Sequence, residues 1–273
     1  MKKLKKISLR LLCILAGLYI VLCTAMCSFQ ESLIFHPKKL DAGFSYTFKQ
    51  KFEELNITVS DNKKLNGVLL KCSDTADAKG LIFYLHGNAG AMDTWGEVGK
   101  NYAPLNYDVF ILDYRGFGKS EGKIYSEKQF YGDVQTAYDE LRKKYNEKNI
   151  VIIGYSIGTG AAAMLASKNN PKLLVLQAPY YSLIDMMHHT YPFVPNFLLK
   201  YKFETFAFIE KVKAPVLIFH GDADEIIYYG SSLKLKEHFK TGDRLVTLPG
   251  AGHLGMNHNP DYLTEMRKVL PAD

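Results

Sequence analysis

Cysteine is scarce beyond the first 30 residues of this sequence, and this limits how the chain can be held together. Three of its four cysteines, Cys13, Cys23 and Cys27, lie in an apolar N-terminal stretch, and only Cys72 lies beyond it. One cysteine cannot form an internal disulfide, so the rest of the chain must fold on its hydrophobic core alone. The residue spacing of a zinc site is missing as well, and we expect no metal.

A basic face is also missing, although the formal net charge is +6. Five cations lie within the first ten residues, and without them the net charge falls to +1. These cations are Lys2, Lys3, Lys5, Lys6 and Arg10. Since a nucleic-acid-binding domain needs its basic residues on the folded part of the molecule, we predict no nucleic-acid partner.

An uncharged stretch of 19 residues, 11–29, follows the cations. As a helix that rises about 1.5 Å per residue, it matches the hydrocarbon core of a bilayer, which is about 30 Å thick. We predict a single-pass membrane anchor at residues 1–29, with the rest of the chain on the non-cytoplasmic side because positive flanks stay cytoplasmic. The alternative is a signal peptide, since Ala25 and Cys27 are small enough to frame a cleavage site. If that signal peptide is cleaved, the protein is secreted or periplasmic.

An irregular connector is predicted at residues 30–53, and after it strand and helix patterns alternate through one domain, 54–273. An antiparallel strand pair is expected at 54–60 and 65–72. Apolar runs that are typical of buried strands follow at 80–86, 108–114, 150–155, 173–178, 214–221 and 244–250. Helical patterns lie among them at 127–145, 157–168, 229–239 and 260–269.

This order of elements predicts an α/β fold, a mostly parallel sheet flanked by helices on both faces. In such sheets the ligand site forms outside the carboxyl ends of the strands. Residues 180–213 depart from the alternation and are rich in Tyr, Phe, Met and Pro. We interpret them as a short cap over the site, inserted between two late strands.

The residues GYSIG, 154–158, match the G-x-S-x-G pattern and lie directly between a predicted strand and a predicted helix. The glycines are needed because the serine of this motif sits on a strained strand-to-helix turn without room for flanking side chains. The turn exposes the serine hydroxyl near the positive end of the helix dipole. We predict Ser156 as a nucleophile; the alternative is a turn that only packs a helix on a strand.

His253, in GAGHLG after the last predicted strand, is the predicted base. An imidazole has a pKa near neutrality, so it can accept the serine proton and return it to the leaving group. Among the eight histidines, His253 alone follows the last strand, as the chain order serine, acid, histidine requires. His86 and His220 end other strands, and we expect structural hydrogen bonds from them.

The acid that orients the histidine is expected in HGDADEII, 220–227, at the end of a predicted strand. A carboxylate there fixes the tautomer of the imidazole and stabilises the imidazolium that forms during attack. Asp222 and Asp224 are both candidates, and their positions alone do not separate them.

The motif HGNAG, 86–90, ends another predicted strand, and its glycines let backbone N–H groups point into a pocket. We predict that the backbone amides of Asn88 and Ile157 form an oxyanion hole. The alternative is a tight turn that Asn88 caps. A further polar motif, DYRGFGKSEG at 113–122, is predicted to brace the loops below the site without a catalytic role.

The chain resembles the membrane-anchored α/β-hydrolases from about residue 33 to the C-terminus. Six motifs in order carry this resemblance: ESLIFHPKKL, LIFYLHGNAG, FILDYRGFGKSEG, GYSIGTGAA, APVLIFHGDADEII and GAGHLG. The group is similar to lysophospholipid lipases, acyl-protein thioesterases and serine-aminopeptidase-like hydrolases. The resemblance implies the α/β-hydrolase fold, an anchor and a short cap. It also implies that the acid is the aspartate of an HG-x-x-D-E-[VI]-I stretch, which is Asp224 here.

Together these features predict a serine hydrolase that cleaves an ester or thioester of a small-molecule or lipid acyl substrate, without a cofactor. A peptidase that acts on short peptides is the alternative. It needs a carboxylate in the cap to hold a free amino terminus, and Glu204 and Asp185 are the acids available between 180 and 208. A binding scaffold without activity is the third hypothesis. It is disfavoured because only catalysis needs Ser156, Asp224 and His253 together.

A chain that begins near Gln30 is expected to be soluble and to keep its hydrolase activity, because the candidate triad lies beyond residue 150. The full chain is expected to stay in carbonate-washed membranes, since its apolar stretch favours insertion. Sequencing of the mature N-terminus checks the anchor. Soluble protein that begins between Met26 and Ser28 would instead identify a signal peptide.

Overall fold

The strands lie within two residues of their predicted bounds in the computed structural model, which describes residues 2–73 and 78–271. They are β1 (His36–Pro37), β2 (Phe52–Thr58), β3 (Lys64–Leu70), β4 (Gly80–Leu85), β5 (Ala89–Gly90), β6 (Tyr107–Leu112), β7 (Ile150–Tyr155), β8 (Leu173–Gln177), β9 (Val216–Gly221) and β10 (Arg244–Leu248). The two-residue strands β1 and β5 are the ones that the sequence pattern does not predict.

The helices are α1 (Lys2–Ser28), α2 (Gln30–Ile34), α3 (Met92–Trp95), α4 (Gly99–Tyr102), α5 (Glu127–Arg142), α6 (Gly158–Lys168), α7 (Leu183–Thr190), α8 (Thr205–Ile209), α9 (Gly230–Lys236) and α10 (Pro260–Val269). Short 3₁₀ turns lie at Gly96–Val98, Ala103–Leu105, Glu147–Asn149, Asn196–Leu198 and Met256–His258. Two helices end earlier than their patterns predict, since α5 stops at Arg142 and α9 at Lys236.

The main sheet has the strand order β10-β9-β8-β7-β4-β6-β3-β2. Its pairs from β10 through β4 to β6 are parallel, whereas β3 pairs antiparallel with both β6 and β2. Parallel strands end at one edge of a sheet, so the loops after β4, β7, β8, β9 and β10 meet there. This arrangement confirms the predicted α/β-hydrolase fold.

Both faces of the sheet are buried, as the unbroken apolar runs predict. Side chains alternate between the faces along each strand. In β4, Phe83 joins a cluster with residues of α5 and α6, and its neighbour Tyr84 joins a second cluster with Tyr102 and Tyr262 on the opposite face. The helices therefore cover the sheet on both sides.

The predicted connector at 30–53 is more ordered than expected. It contains α2 and then β1. Strand β1 pairs in parallel with β5, which is formed by the last two residues of the HGNAG motif. The N–H of His36 donates to the carbonyl of Asn88 at 2.9 Å, and the N–H of Lys38 donates to Gly90 at 3.2 Å. A two-residue pairing has no periodicity to detect, so only the folded chain reveals it.

Helix α1 is long and apolar enough to cross a membrane, and its side chains are mostly exposed. This finding is compatible with an anchor or with a signal sequence. Its last turns contact the segment predicted as a cap, which contains α7, the Asn196–Leu198 turn and α8. Cys23 is buried, and the hydroxyl of Tyr19 donates to the carbonyl of Phe193 at 2.8 Å.

The DYRGFGKSEG motif forms a buried ionic brace. The Arg115 guanidinium donates to Asp133 at 2.5 and 3.0 Å and to Asp61 at 2.6 and 2.7 Å. Burial raises the pKa of Asp133, although Arg115 opposes this change. A carboxylate so placed depends on its cation, because an unpaired buried charge is strongly unfavourable.

Replacing Arg115 with Met is expected to lower the free energy of unfolding by about 3–5 kcal/mol, because it leaves Asp133 buried without its partner. The matched control is Arg142→Met, which removes a half-exposed pair with Glu147 and is expected to cost about 1 kcal/mol or less. Denaturant unfolding of the full chain in detergent measures both. Equal losses of unfolding free energy in the two variants would show that the ion pairs of Arg115 stabilise the fold no more than a surface ion pair does.

Candidate active site

Ser156 lies on the turn between β7 and α6 with a φ of +54°, in the left-handed region. A non-glycine residue there costs on the order of 1–3 kcal/mol and persists only when its surroundings hold it. Its N–H donates to the carbonyl of Gln177 at 2.9 Å, and its carbonyl accepts from the N–H and the hydroxyl of Thr159 at 3.0 and 2.6 Å. A Cβ on Gly154 would approach the carbonyl oxygen of Gly158 to 2.6 Å, so the motif glycines are required by space.

The structure brings the three predicted catalytic side chains together. The Ser156 hydroxyl lies 3.0 Å from Nε2 of His253, and Nδ1 of the same ring lies 2.8 Å from Oδ2 of Asp224. All three are buried. Because a carboxylate only accepts, Nδ1–H donates to Asp224, and this leaves Nε2 free to accept the serine proton.

Asp224 is held in its ionised form. Its Oδ1 accepts the N–H groups of Ile226 and Ile227 at 2.9 and 2.8 Å. Burial raises its pKa, but the hydrogen bonds from His220 and His253 outweigh this effect and keep the pKa well below its usual range. The group is therefore a fixed negative charge beside the imidazole.

His220 contacts the acid more directly than the sequence suggests. Its Nε2 lies 3.2 Å from Oδ2 of Asp224 and 2.8 Å from the carbonyl of Ile227, while Nδ1 lies 2.7 Å from the hydroxyl of Ser232. The expected structural hydrogen bonds are present, yet one of them ends on the candidate acid. Their spacing of four residues does not predict this contact, because that spacing brings side chains together in a helix and not at the end of a strand.

Asp222 lies apart from the imidazole. It is exposed, and its Oδ1 accepts the N–H of Gly250 at 2.7 Å, which closes the turn after β10. The geometry thus separates two aspartates that their positions in the sequence do not.

Tyr155 supports the histidine from behind, a role that the sequence does not reveal. Its ring stacks on that of His253 with centroids 5.6 Å apart, and its hydroxyl donates to the His253 carbonyl. Burial raises the pKa of Tyr155, so its phenol stays neutral and remains a donor. The nucleophile motif therefore positions the base as well as the serine.

The two candidate oxyanion amides belong to Asn88, after β4, and Ile157, before α6. Within the described part of the chain, neither backbone N–H donates to a protein acceptor. The Asn88 side chain is used elsewhere, since Nδ2 donates to the carbonyl of Ile34 at 3.3 Å. It therefore fixes the loop and leaves the backbone amide available.

A cavity of about 380 Å³ adjoins these residues, and we call it the Leu254 cavity. Trp95, Tyr155 and Leu254 contribute to its walls. The last two are direct neighbours of Ser156 and His253 in the chain, whereas Ser156 and His253 themselves are not among the residues that line the cavity. Among the described residues, no His, Cys, Asp and Glu side chains are grouped to hold a metal ion.

The sequence is similar to several known hydrolases. The family model described as "Serine aminopeptidase, S33" matches residues 76–207. Alpha/beta hydrolase domain-containing protein 17B of Homo sapiens is 29% identical over 245 residues, which cover 86% of this chain and 81% of that protein.

Solved structures show the same fold. An esterase of Pyrococcus furiosus has a TM-score of 0.68 at 19% identity, and the match covers 87% of this chain and 96% of that one. An esterase of Butyrivibrio proteoclasticus with ferulic acid bound has a TM-score of 0.63 at 21% identity, covering 79% of this chain and 96% of that one. With the eight-stranded sheet and the serine turn already described, these similarities confirm the predicted resemblance to the α/β-hydrolases and the predicted fold.

Proposed function

We propose that this protein is a serine hydrolase that cleaves an ester or thioester bond of an acyl substrate. The observation that carries the proposal is the continuous contact from Ser156 Oγ through the His253 ring to Asp224, at 3.0 and 2.8 Å. Nothing in the packing of the fold requires these three groups to touch, whereas nucleophilic catalysis requires all three.

In the proposed first step, Ser156 Oγ attacks the acyl carbonyl carbon while its proton moves to Nε2 of His253. The negative charge that forms on the carbonyl oxygen is stabilised by the backbone N–H groups of Asn88 and Ile157. Each such donor contributes about 2.7–4 kcal/mol. The bond to the alcohol or thiol then breaks, and His253 gives its proton to that leaving group.

Water completes the reaction in the second step. His253 accepts a proton from the water molecule, which attacks the acyl-enzyme, and the proton returns to Ser156 as the acid product leaves. Asp224 stays ionised throughout and stabilises the imidazolium in both steps. Neither step of the reaction transfers electrons or needs a carrier group, so the residues described are sufficient for both steps.

A peptidase remains the second candidate, because the matching family model is that of a serine aminopeptidase. An aminopeptidase needs a free carboxylate to hold the substrate ammonium. Asp185 is already engaged, since it accepts from the hydroxyl of Tyr228 at 2.5 Å and forms an ion pair with Lys234. Asp185 is thereby excluded as that carboxylate and Glu204 is left, so the preference for the ester or thioester over the peptide bond rests on the likeness to structures of esterases.

We further propose that α1 stays attached as a single-pass anchor with the hydrolase domain on the non-cytoplasmic side. The support is the basic flank before an apolar helix whose side chains are mostly exposed. A cleaved signal, which gives a secreted or periplasmic enzyme, is the competing outcome of the N-terminal sequencing described above.

Replacing Ser156 with Ala is expected to lower kcat by about 10⁴–10⁶ and to abolish labelling by a fluorophosphonate probe. The fold should be unaffected, because the change removes one hydroxyl and leaves the backbone bonds of the turn in place. The matched control is Ser167→Ala, which removes a hydroxyl that donates only to the carbonyl of Met164 within α6. Activity of Ser156→Ala within about tenfold of the wild type would exclude this nucleophile.

Asp224→Asn is expected to lower kcat by about 10⁴, because the amide keeps the shape of the side chain but favours the wrong tautomer of His253. Asp222→Asn is the matched comparison two residues away, and there the activity should be nearly unchanged. Steady-state hydrolysis of a p-nitrophenyl ester measures both. If Asp222→Asn proves the more damaging of the two, the assignment of the acid is reversed.

A further inference from the structure

Three polar side chains from separate segments of the chain form a closed ring of hydrogen bonds in the core. The Tyr84 hydroxyl donates to Oε1 of Gln177 at 3.0 Å, and Nε2 of Gln177 donates to Oδ1 of Asn257 at 2.9 Å. Nδ2 of Asn257 donates back to the Tyr84 hydroxyl at 2.9 Å. All three residues are buried. We call this set the polar ring.

Each member of the polar ring donates one hydrogen bond within it and accepts one, so the three bonds run in a single direction. Hydrogen bonds linked in this way polarise one another, and a buried network that is fully satisfied specifies one arrangement of its members. Burial raises the pKa of the Tyr84 phenol well above its usual value, so the phenol keeps the proton that it donates. Removing any one member leaves an unpaired polar atom on each of the other two.

The polar ring spans β7, the strand that ends in the nucleophile turn. Strand β7 lies between β4, which contains Tyr84, and β8, which ends at Gln177. In the register of the sheet Tyr84 pairs with Ile153 and Gln177 pairs with Tyr155, so these four side chains lie on one face. Tyr155 stacks on the imidazole of His253. The ring and the aromatic support of the base therefore lie on the same face of the sheet.

Gln177 joins the polar ring to the nucleophile turn. While its side chain lies in the ring, its backbone carbonyl accepts the N–H of Ser156 at 2.9 Å. Ser156 has a left-handed φ of +54°, and Ala178, directly after Gln177, has one of +48°. Backbone strain of this kind persists only where the surrounding bonds hold it. The ring thus fixes the side chain of the residue to which the serine turn is bonded.

The other two members belong to the segments of the base and of a candidate oxyanion amide. Asn257 follows His253 by four residues, across Gly255 with its φ of +82°. Tyr84 precedes Asn88 by four residues, in the strand that leads into HGNAG. The segments of the nucleophile, the base and the oxyanion amide are therefore bonded to one another through three side chains.

We propose that Tyr84, Gln177 and Asn257 are positioning residues that hold the nucleophile, the base and the candidate oxyanion amide in register for acyl transfer. They act through the segments to which they belong. The inference rests on the proposed function and adds to it the side chains that set the geometry of the site. A displacement of about 1 Å in reacting groups lowers a rate by about a hundredfold. Loss of the ring should therefore lower kcat and leave KM nearly unchanged.

Tyr84→Phe opens the ring by removing one hydroxyl. In the full chain in detergent it is expected to lower kcat for p-nitrophenyl butyrate by about tenfold to a hundredfold, with KM within about twofold of the wild type. The value of kcat is expressed per serine labelled to completion by a fluorophosphonate probe, so that unfolded protein is not counted.

The matched control is Tyr262→Phe, which removes another fully buried hydroxyl from the same hydrophobic cluster, where it bonds to the hydroxyl of Tyr102 at 2.5 Å. Its kcat per labelled serine should equal that of the wild type, even if its stability falls as much as that of Tyr84→Phe in denaturant unfolding. A wild-type kcat per labelled serine in Tyr84→Phe would overturn the proposal.

An apolar ring separates positioning from stability. The triple variant Tyr84→Phe, Gln177→Met, Asn257→Leu keeps the approximate volume of the three side chains and removes the unpaired polar atoms, so its stability should recover toward that of the wild type. Its kcat should stay as low as that of Tyr84→Phe, because apolar contacts have no preferred direction. Recovery of kcat together with stability would show that the ring has a structural role only. If the triple variant does not fold, Tyr84→Phe decides alone.

The rate of fluorophosphonate labelling distinguishes this inference from the proposed function, because the probe needs the serine and the base but no particular acyl group. If the wild type is labelled but hydrolyses no ester or thioester, the proposed function fails. The ring then stands if Tyr84→Phe is labelled about tenfold or more slowly than the wild type. If the wild type hydrolyses the butyrate ester and Tyr84→Phe matches it in both labelling rate and kcat, the ring alone is refuted.

Discussion

The active site depends on backbone hydrogen bonds that extend the parallel sheet one residue beyond its strands. The Ser156 N–H donates to the Gln177 carbonyl at 2.9 Å, and the Ala178 N–H donates to the Phe219 carbonyl at 2.8 Å. Both donors have left-handed φ values, +54° and +48°. The ladder that joins β7, β8 and β9 thus holds two strained turns in place, and the strain is tolerated because sheet pairing on both sides determines the backbone.

The loop that leaves this edge after β9 fixes the position of the charged group of the site. Asp224 comes three residues after Gly221, which ends β9, and the loop N–H groups of Ile226 and Ile227 turn its carboxylate toward His253. One carboxylate therefore receives two backbone donors and two imidazoles, enough to offset the cost of burial. On the other face of His253, Tyr155 prevents the ring from turning away, so the tautomer and the orientation are both fixed.

The strands, their order along the chain and the candidate nucleophile could be predicted from the sequence, because they depend on local patterns. Strand β7 begins and ends where its apolar run does, and Ser156 follows from the small residues that its turn demands. The separation of Asp222 from Asp224 could not be derived in that way, since neither lies in a strand, where alternation assigns a face. The contacts of Tyr155 and His220 escaped prediction for a related reason. Their partners are 98 and 4 residues away, and only the folded loops show which side chains meet.

The strap formed by α2 and β1 links two parts of the molecule that the sequence presents as separate. Gln30 joins the end of α1 to the cap, and six residues later His36 pairs with the loop that carries Asn88. Because this strap is hydrogen-bonded at both ends, it holds the cap and the loop of Asn88 to one continuous segment of eight residues, 30–37.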